Sequence, residues 1–176
     1  MPRVRLRPIR PEDWPVLIEN RSEEADPWNF FGHQSTPEPG HRPAGGGSGT
    51  ADAGALAVES LEGKLLGEVS WNTVQHGPSP ACRALNVGIT LFREHRGHGS
   101  GTAAQAELAD YLFQTSRVER LEAATDVENI AEQRSLEKAG FHREGVLRHA
   151  QFRAGAWRDV VLFSRLRHDP APIARS

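Results

Sequence analysis

The residues best suited to chemistry lie between Ile89 and Thr102. Here Ile-Thr-Leu-Phe-Arg-Glu-His-Arg-Gly-His-Gly-Ser-Gly-Thr runs from an apolar stretch through a glycine-rich turn into a helical one. Glycines at 97, 99 and 101 permit positive φ and let backbone N–H groups approach a ligand with no Cβ in the way. The helix that follows presents its amino terminus, where the dipole attracts an anion, and Arg96 adds a charge-assisted hydrogen bond. The pattern reads as a cradle for phosphate or diphosphate; a merely flexible glycine loop is the alternative for any short motif of this kind.

Two common phosphate sites fit poorly. A Walker loop puts lysine before Ser or Thr at the helix start, whereas Gly101 precedes Thr102 and no lysine is near. A dinucleotide fingerprint can be laid loosely from Gly99 through Gly101 to Ala104, but too little chain follows for the second half of that fold.

The elements that would position the cradle follow from periodicity. Val4 to Ile9 alternates Val4 and Leu6 with Arg3, Arg5 and Arg7, as a half-buried strand does. Pro11, Glu12 and Asp13 open a helix in which Trp14, Leu17 and Ile18 share a face. Ala55 to Glu59, Leu65 to Val74 and Ala84 to Phe92 read as a meander, with Glu62-Gly63-Lys64 as a hairpin turn. Ala104, Leu108, Tyr111 and Leu112 recur at helical spacing over Thr102 to Gln114. Leu121 to Thr125 is then a strand, and Ile130 to Ala139 a helix ended by a left-handed Gly140. Arg143 to Phe152 and Arg158 to Leu166 are strands about the turn Ala154-Gly155-Ala156. The order, without internal repeat, predicts a mixed α/β sheet rather than a doubly wound one.

At 176 residues the chain fits one domain, taken as 1–170 with a disordered tail at 171–176. Ser35 to Gly54 is rich in Gly, Pro and Ser and reads as a flexible insertion within that domain. A net charge of -2 and a pI near 6.4 give no basic field, so a nucleic-acid partner is not expected. Cys82 is the single cysteine and excludes an internal disulfide. The basic start lacks a following apolar stretch, and Val160-Val161-Leu162-Phe163 is far too short for a membrane span, so a soluble cytoplasmic protein is expected. The eight histidines show no metal-ligand spacing and no metal is expected.

Arg96-Gly97-His98-Gly99-Ser100-Gly101 resembles the Arg/Gln-x-x-Gly-x-Gly/Ala signature of the GNAT acyltransferases. The chain is similar to their RimJ/RimL-like N-acetyltransferases along almost its whole length. The motifs are Val4-Arg5-Leu6-Arg7-Pro8 with Asp13, Asn86-Val87-Gly88-Ile89, Asn129, Leu136-Glu137-Lys138-Ala139-Gly140-Phe141 and Gly155-Ala156-Trp157-Arg158-Asp159. The resemblance implies a GNAT fold with a central, mostly antiparallel splayed sheet flanked by helices. It implies acetyl-coenzyme A as co-substrate, with Ile89, Thr90 and Leu91 pairing their backbone to the pantetheine arm. Arg96, Gly97, His98, Gly99, Ser100, Gly101 and Thr102 would hold the diphosphate, and Asn129 would sit near the pantetheine or serve only as a helix N-cap. It implies acetyl transfer to a primary amine, on a protein N-terminus or a small molecule, and leaves a homodimer open.

The proton-handling groups depart from the family pattern. Asn86, itself a catalytic candidate, stands where many members carry glutamate, Leu136 where they carry tyrosine, and Glu132 where the RimJ/RimL-like pattern has serine. Glu132 is a candidate acid if burial raises its pKa, and Glu68 a candidate base through a water; for each, a solvent-facing carboxylate is the alternative. Trp28, Trp71 and Trp157 are candidates for stacking an acceptor, with core packing favoured for Trp71. A small-amine acetyltransferase and a non-catalytic acyl-coenzyme A sensor are the competing readings.

Overall fold

The computed structural model describes residues 4–20 and 51–170. Trp28, the tail and nearly all of the predicted insertion lie outside them. At the insertion's end, Ala53 and Gly54 already belong to a strand, because they pair with Asn72 and Trp71.

The elements are β1 (Val4–Pro8), α1 (Trp14–Glu19), β2 (Ala53–Ser60), β3 (Leu65–Gln75), β4 (Arg83–Leu91) and α2 (Ser100–Thr115), followed by β5 (Arg120–Asp126), α3 (Ile130–Lys138), β6 (His142–Arg153) and β7 (Ala156–Leu166). All seven strands form one sheet in the order β1-β2-β3-β4-β5-β7-β6. Every neighbouring pair is antiparallel except β4 and β5. The expected mixed, mostly antiparallel sheet is what the chain forms.

Alternation along β4 sets the two faces of the sheet. Leu85, Val87 and Leu91 join Leu108 and Leu112 of α2 and Leu136 of α3 in the main buried cluster. Burying each such leucine contributes roughly 1.5–3 kcal/mol. A second, smaller cluster of Ile9, Leu17, Ala57 and Phe92 forms beside α1. Gly140 takes φ +88 after α3, the left-handed termination its sequence implied. The last hairpin is tighter than predicted. Ala154 and Gly155 both adopt positive φ, as a two-residue turn matching the strand twist requires, so Ala156 is released into β7.

Ion pairs tie the edges down. Arg7 on β1 binds Asp13 at 2.6 Å and also Glu59 on β2. Arg120 on β5 reaches Glu122 at 2.6 Å and grips Glu144 on β6 with both terminal nitrogens. Near the last turn, Arg153 pairs with Asp126 at the end of β5, both side chains being buried.

Candidate active site

Strands β4 and β5 pair only at Leu85–Leu121 and Asn86–Glu122. Beyond those two rungs they diverge, and the β4 edge from Val87 to Leu91 faces a cleft of about 500 Å³. An open strand edge of this kind carries backbone donors and acceptors ready for an extended ligand.

The chain closes the mouth of the cleft by a specific route. Phe92 anchors in the smaller cluster and its N–H donates to the Leu66 carbonyl at 2.9 Å. A single 3-10 turn, Arg93–His95, follows. Arg96 Nε then donates to the Leu91 carbonyl at 2.8 Å, which seats the guanidinium on the cleft wall. Gly97 and Gly99 adopt φ +77 and +85, conformations that favour glycine. Gly99 is the N-cap of α2 and has no side chain with which to cap it, so the first turn, whose Gly101 and Thr102 line the cleft, lacks that partner. Gly101 differs from expectation: it lies inside the helix rather than at positive φ, because the left-handed Gly99 has already started α2 at Ser100.

Of the residues assigned to the ligand, Ile89, Leu91, Arg96, Gly97, Gly99, Gly101, Thr102 and Asn129 line the cleft. Thr90, His98 and Ser100 are not among the lining residues. Thr90 sits opposite Glu68 on the other face of the sheet, His98 is exposed, and Ser100 is buried in the first turn of α2. Asn129 is the N-cap of α3, its side chain accepting from the Glu132 N–H at 3.3 Å, and it also lines the cleft.

The three catalytic candidates are not brought together. Glu132 lines the cleft and is half-buried, with Gln105 Nε2 donating to its carboxylate, so it does not simply face solvent. Glu68 is buried at 7% exposure and shares its face with Ala57 and Thr90, its partners across β2 and β4. That overturns the solvent-facing alternative for Glu68: alternation sets it on the face opposite Val69 and Trp71, but that face is covered there, its partner Ala57 being fully buried in the smaller cluster beside α1. Asn86 is half-buried on that same face, opposite Asn72. Trp71 packs in the main core, 6.0 Å from the Tyr111 ring, and offers no face to an acceptor. Trp157 is exposed and meets Phe152 edge-on at 5.5 Å near the last turn. Leu136 is in the core.

Several residues of the site carried no site assignment from the sequence. Arg134, Ser135 and Lys138 line the cleft from α3, and Gln105 lies behind it on α2. The spacing Ala131, Arg134, Lys138 was the available signal, since three and four residues apart share a helix face. No group of three or more His, Cys, Asp or Glu able to hold a metal occurs among the described residues. No helix there is long and apolar enough to cross a membrane.

A sheet splayed at one parallel pair, with a glycine-turned helix start at the mouth of the gap, is the arrangement that the GNAT resemblance implies. The chain belongs to the GNAT family: the Acetyltransferase (GNAT) domain matches residues 3–142. It is 34% identical over 106 residues to the probable N-acetyltransferase YjcK of Bacillus subtilis (strain 168), covering 60% of this chain and 57% of that protein. The chain thus matches little more than half the length of this relative. Its fold is shared with Mycobacterium smegmatis RimJ in complex with CoA-disulfide, at TM-score 0.74 and 24% identity, covering 98% of this chain and 85% of that one. It is likewise shared with spermidine N-acetyltransferase from Vibrio cholerae in complex with CoA and spermine, at TM-score 0.72 and 18% identity, covering 95% and 97%.

Proposed function

We propose that this chain is an N-acetyltransferase in which a primary amine attacks the thioester of acetyl-coenzyme A directly, both being bound together. The observation that carries the reading is the open β4 edge leading into an uncapped, glycine-turned helix start. The cleft suits a diphosphate ligand chemically, because left-handed glycines expose amides while Arg96, Arg134 and Lys138 supply positive charge around it.

Acetyl-coenzyme A supplies an acyl carbon already activated as a thioester. The chain's own part is to hold and orient. Backbone groups of Ile89 and Leu91 grip the extended arm, the turn from Gly97 to Thr102 takes the diphosphate, and Asn129 fixes the start of α3 beside it. In this reading Glu132, a carboxylate lining the cleft, gives a proton to the departing sulfur. Glu68 and Asn86 lie on the opposite sheet face, on the side from which an acceptor would meet the splay.

The acceptor we favour is the α-amino group of a protein N-terminus. Asn86 removes the family's usual carboxylate base, and without it a low-pKa amine has the advantage. Deprotonating a lysine at pH 7 costs about 4–5 kcal/mol, an α-amine only about 1 kcal/mol. The decisive experiment incubates the chain with acetyl-coenzyme A and, in parallel, free-N-terminal peptides and small amines such as polyamines. A mass increase of one acetyl on peptide α-amines, absent from blocked peptides, is expected. Acetylation confined to polyamines would move the assignment to small amines. Tight acetyl-coenzyme A binding with no release of coenzyme A over the whole panel would leave a sensor.

A further inference from the structure

Four side chains form a hydrogen-bonded line from the cradle to the cleft carboxylate, crossing from α2 to α3. Thr102 Oγ1 lies 3.1 Å from Ser135 Oγ, Ser135 Oγ donates to Gln105 Oε1 at 2.9 Å, and Gln105 Nε2 donates to Glu132. Thr102, Ser135 and Glu132 line the cleft, whereas Gln105 stands behind them at 3% exposure. A buried amide is an unusual choice of partner for a carboxylate where a lysine or arginine would bind more tightly.

The amide has one property those cations lack: it donates through Nε2 and, turned over, accepts through Oε1. Against a carboxylate it presents N–H; against a carboxylic acid it presents C=O. The hydroxyls of Ser135 and Thr102 both donate and accept, so they follow either orientation and no buried polar atom of the line is stranded.

We infer that Gln105 is a positioning residue for the proton step: it anchors Glu132 to the cleft wall in both its charged and its neutral form. The inference rests on the acetyl transfer proposed above. As the C–N bond forms and the C–S bond breaks, neutral Glu132 gives its proton to the sulfur. The proton shed by the acceptor nitrogen to water restores it, and Gln105 keeps the side chain in place through the cycle. The charged groups that line the cleft with Glu132 are Arg96, from the turn, and Arg134 and Lys138, from its own helix α3; β4 and β5 line the cleft with no titratable side chain. Further along β5, Asp126 is paired to Arg153.

The test reads Glu132 directly by carboxyl-carbon NMR titration of the full chain, its resonance assigned by loss in Glu132→Gln. Gln105→Lys fixes a cation on the carboxylate and lowers its titration midpoint; Gln105→Leu removes the donor and raises it, each by about half a pH unit or more. The alkaline limb of the kcat profile moves the same way in each variant and is absent in Glu132→Gln. If Gln105→Lys does not fold, Ser135→Ala, which frees the far end of the amide, takes its place and must also displace the midpoint. Folded variants that leave the midpoint unmoved, or an alkaline limb that survives Glu132→Gln, overturn the inference. Failure of the acetyl-transfer reading itself shows separately, as absence of acetyl-coenzyme A binding to the unaltered chain in calorimetry.

Discussion

Gly67 of β3 lies so close to Thr90 of β4 that a Cβ built at position 67 would stand 2.1 Å from the Thr90 carbonyl oxygen and 2.8 Å from Leu91 Cα. The neighbours are backbone atoms, which cannot swing aside as a flexible side chain would. Gly67 also adopts φ +151, at the edge of the region other residues rarely enter.

Gly67→Ala should therefore destabilise the chain by about 1–3 kcal/mol. It should also weaken acetyl-coenzyme A binding, because the displaced backbone at Leu91 lines the cleft. Chemical denaturation and calorimetry check the two effects. Gly145→Ala, where an added Cβ meets nothing within 4 Å, is the control and should stay within about 0.5 kcal/mol. Equal behaviour of the two variants would refute the steric account.

Gly99→Asp tests the cradle. Aspartate tolerates left-handed backbone better than most residues, so the helical circular-dichroism signal should persist. Its carboxylate would face the diphosphate, and acetyl-coenzyme A affinity should fall at least about tenfold. Gly99→Asn, equal in size and uncharged, should lose much less. Unchanged affinity in Gly99→Asp would remove the turn from the ligand site.

Much of the scaffold could be read before any coordinates. The spacing of Ala104, Leu108 and Leu112 marked α2, and Gly140 marked the end of α3, because both signals are local. The line from Thr102 to Glu132 was not legible, since Gln105 and Glu132 meet only when two helices dock and nothing in either segment names its partner. The burial of Glu68 was missed for a related reason: alternation gives its face, but that the face is covered depends on Ile9, Leu17 and Phe92 gathering over Ala57, which nothing in the segment itself announces. The splay entered through resemblance alone, because no periodicity tells where two parallel strands stop pairing.

Arg153→Met should be costly. Asp126 would remain buried, at 3% exposure, without the guanidinium that neutralises it, and removal of one partner of such a pair costs about 3–5 kcal/mol. Replacing both residues, as Arg153→Met with Asp126→Asn, should recover a good part of the loss. A single variant within about 1 kcal/mol of the unaltered chain would show that the pair is not needed to hold the last hairpin on β5.

Acid stability has a definite sign at Glu144. Hydrogen bonds from Arg120, and then from Ser164, lower its pKa from 4.5 to about 2. A carboxylate depressed by folding stabilises the folded state fully above its unfolded value, and that contribution is lost as pH falls through the folded one. Glu144→Gln should hence be less stable than the unaltered chain at neutral pH. The difference should shrink between about pH 4.5 and pH 2 in urea titrations; a gap constant across that window would assign it to packing.

Two rungs between β4 and β5 are all the direct ladder that joins the first four strands to the last three, and the helices clasp what the ladder does not. A molecule lying in the gap would act as a rivet, supplying the missing crossbars from both banks at once. Binding and mechanical union of the two halves are then one event, and heat should part them at a temperature that climbs with the concentration of the rivet.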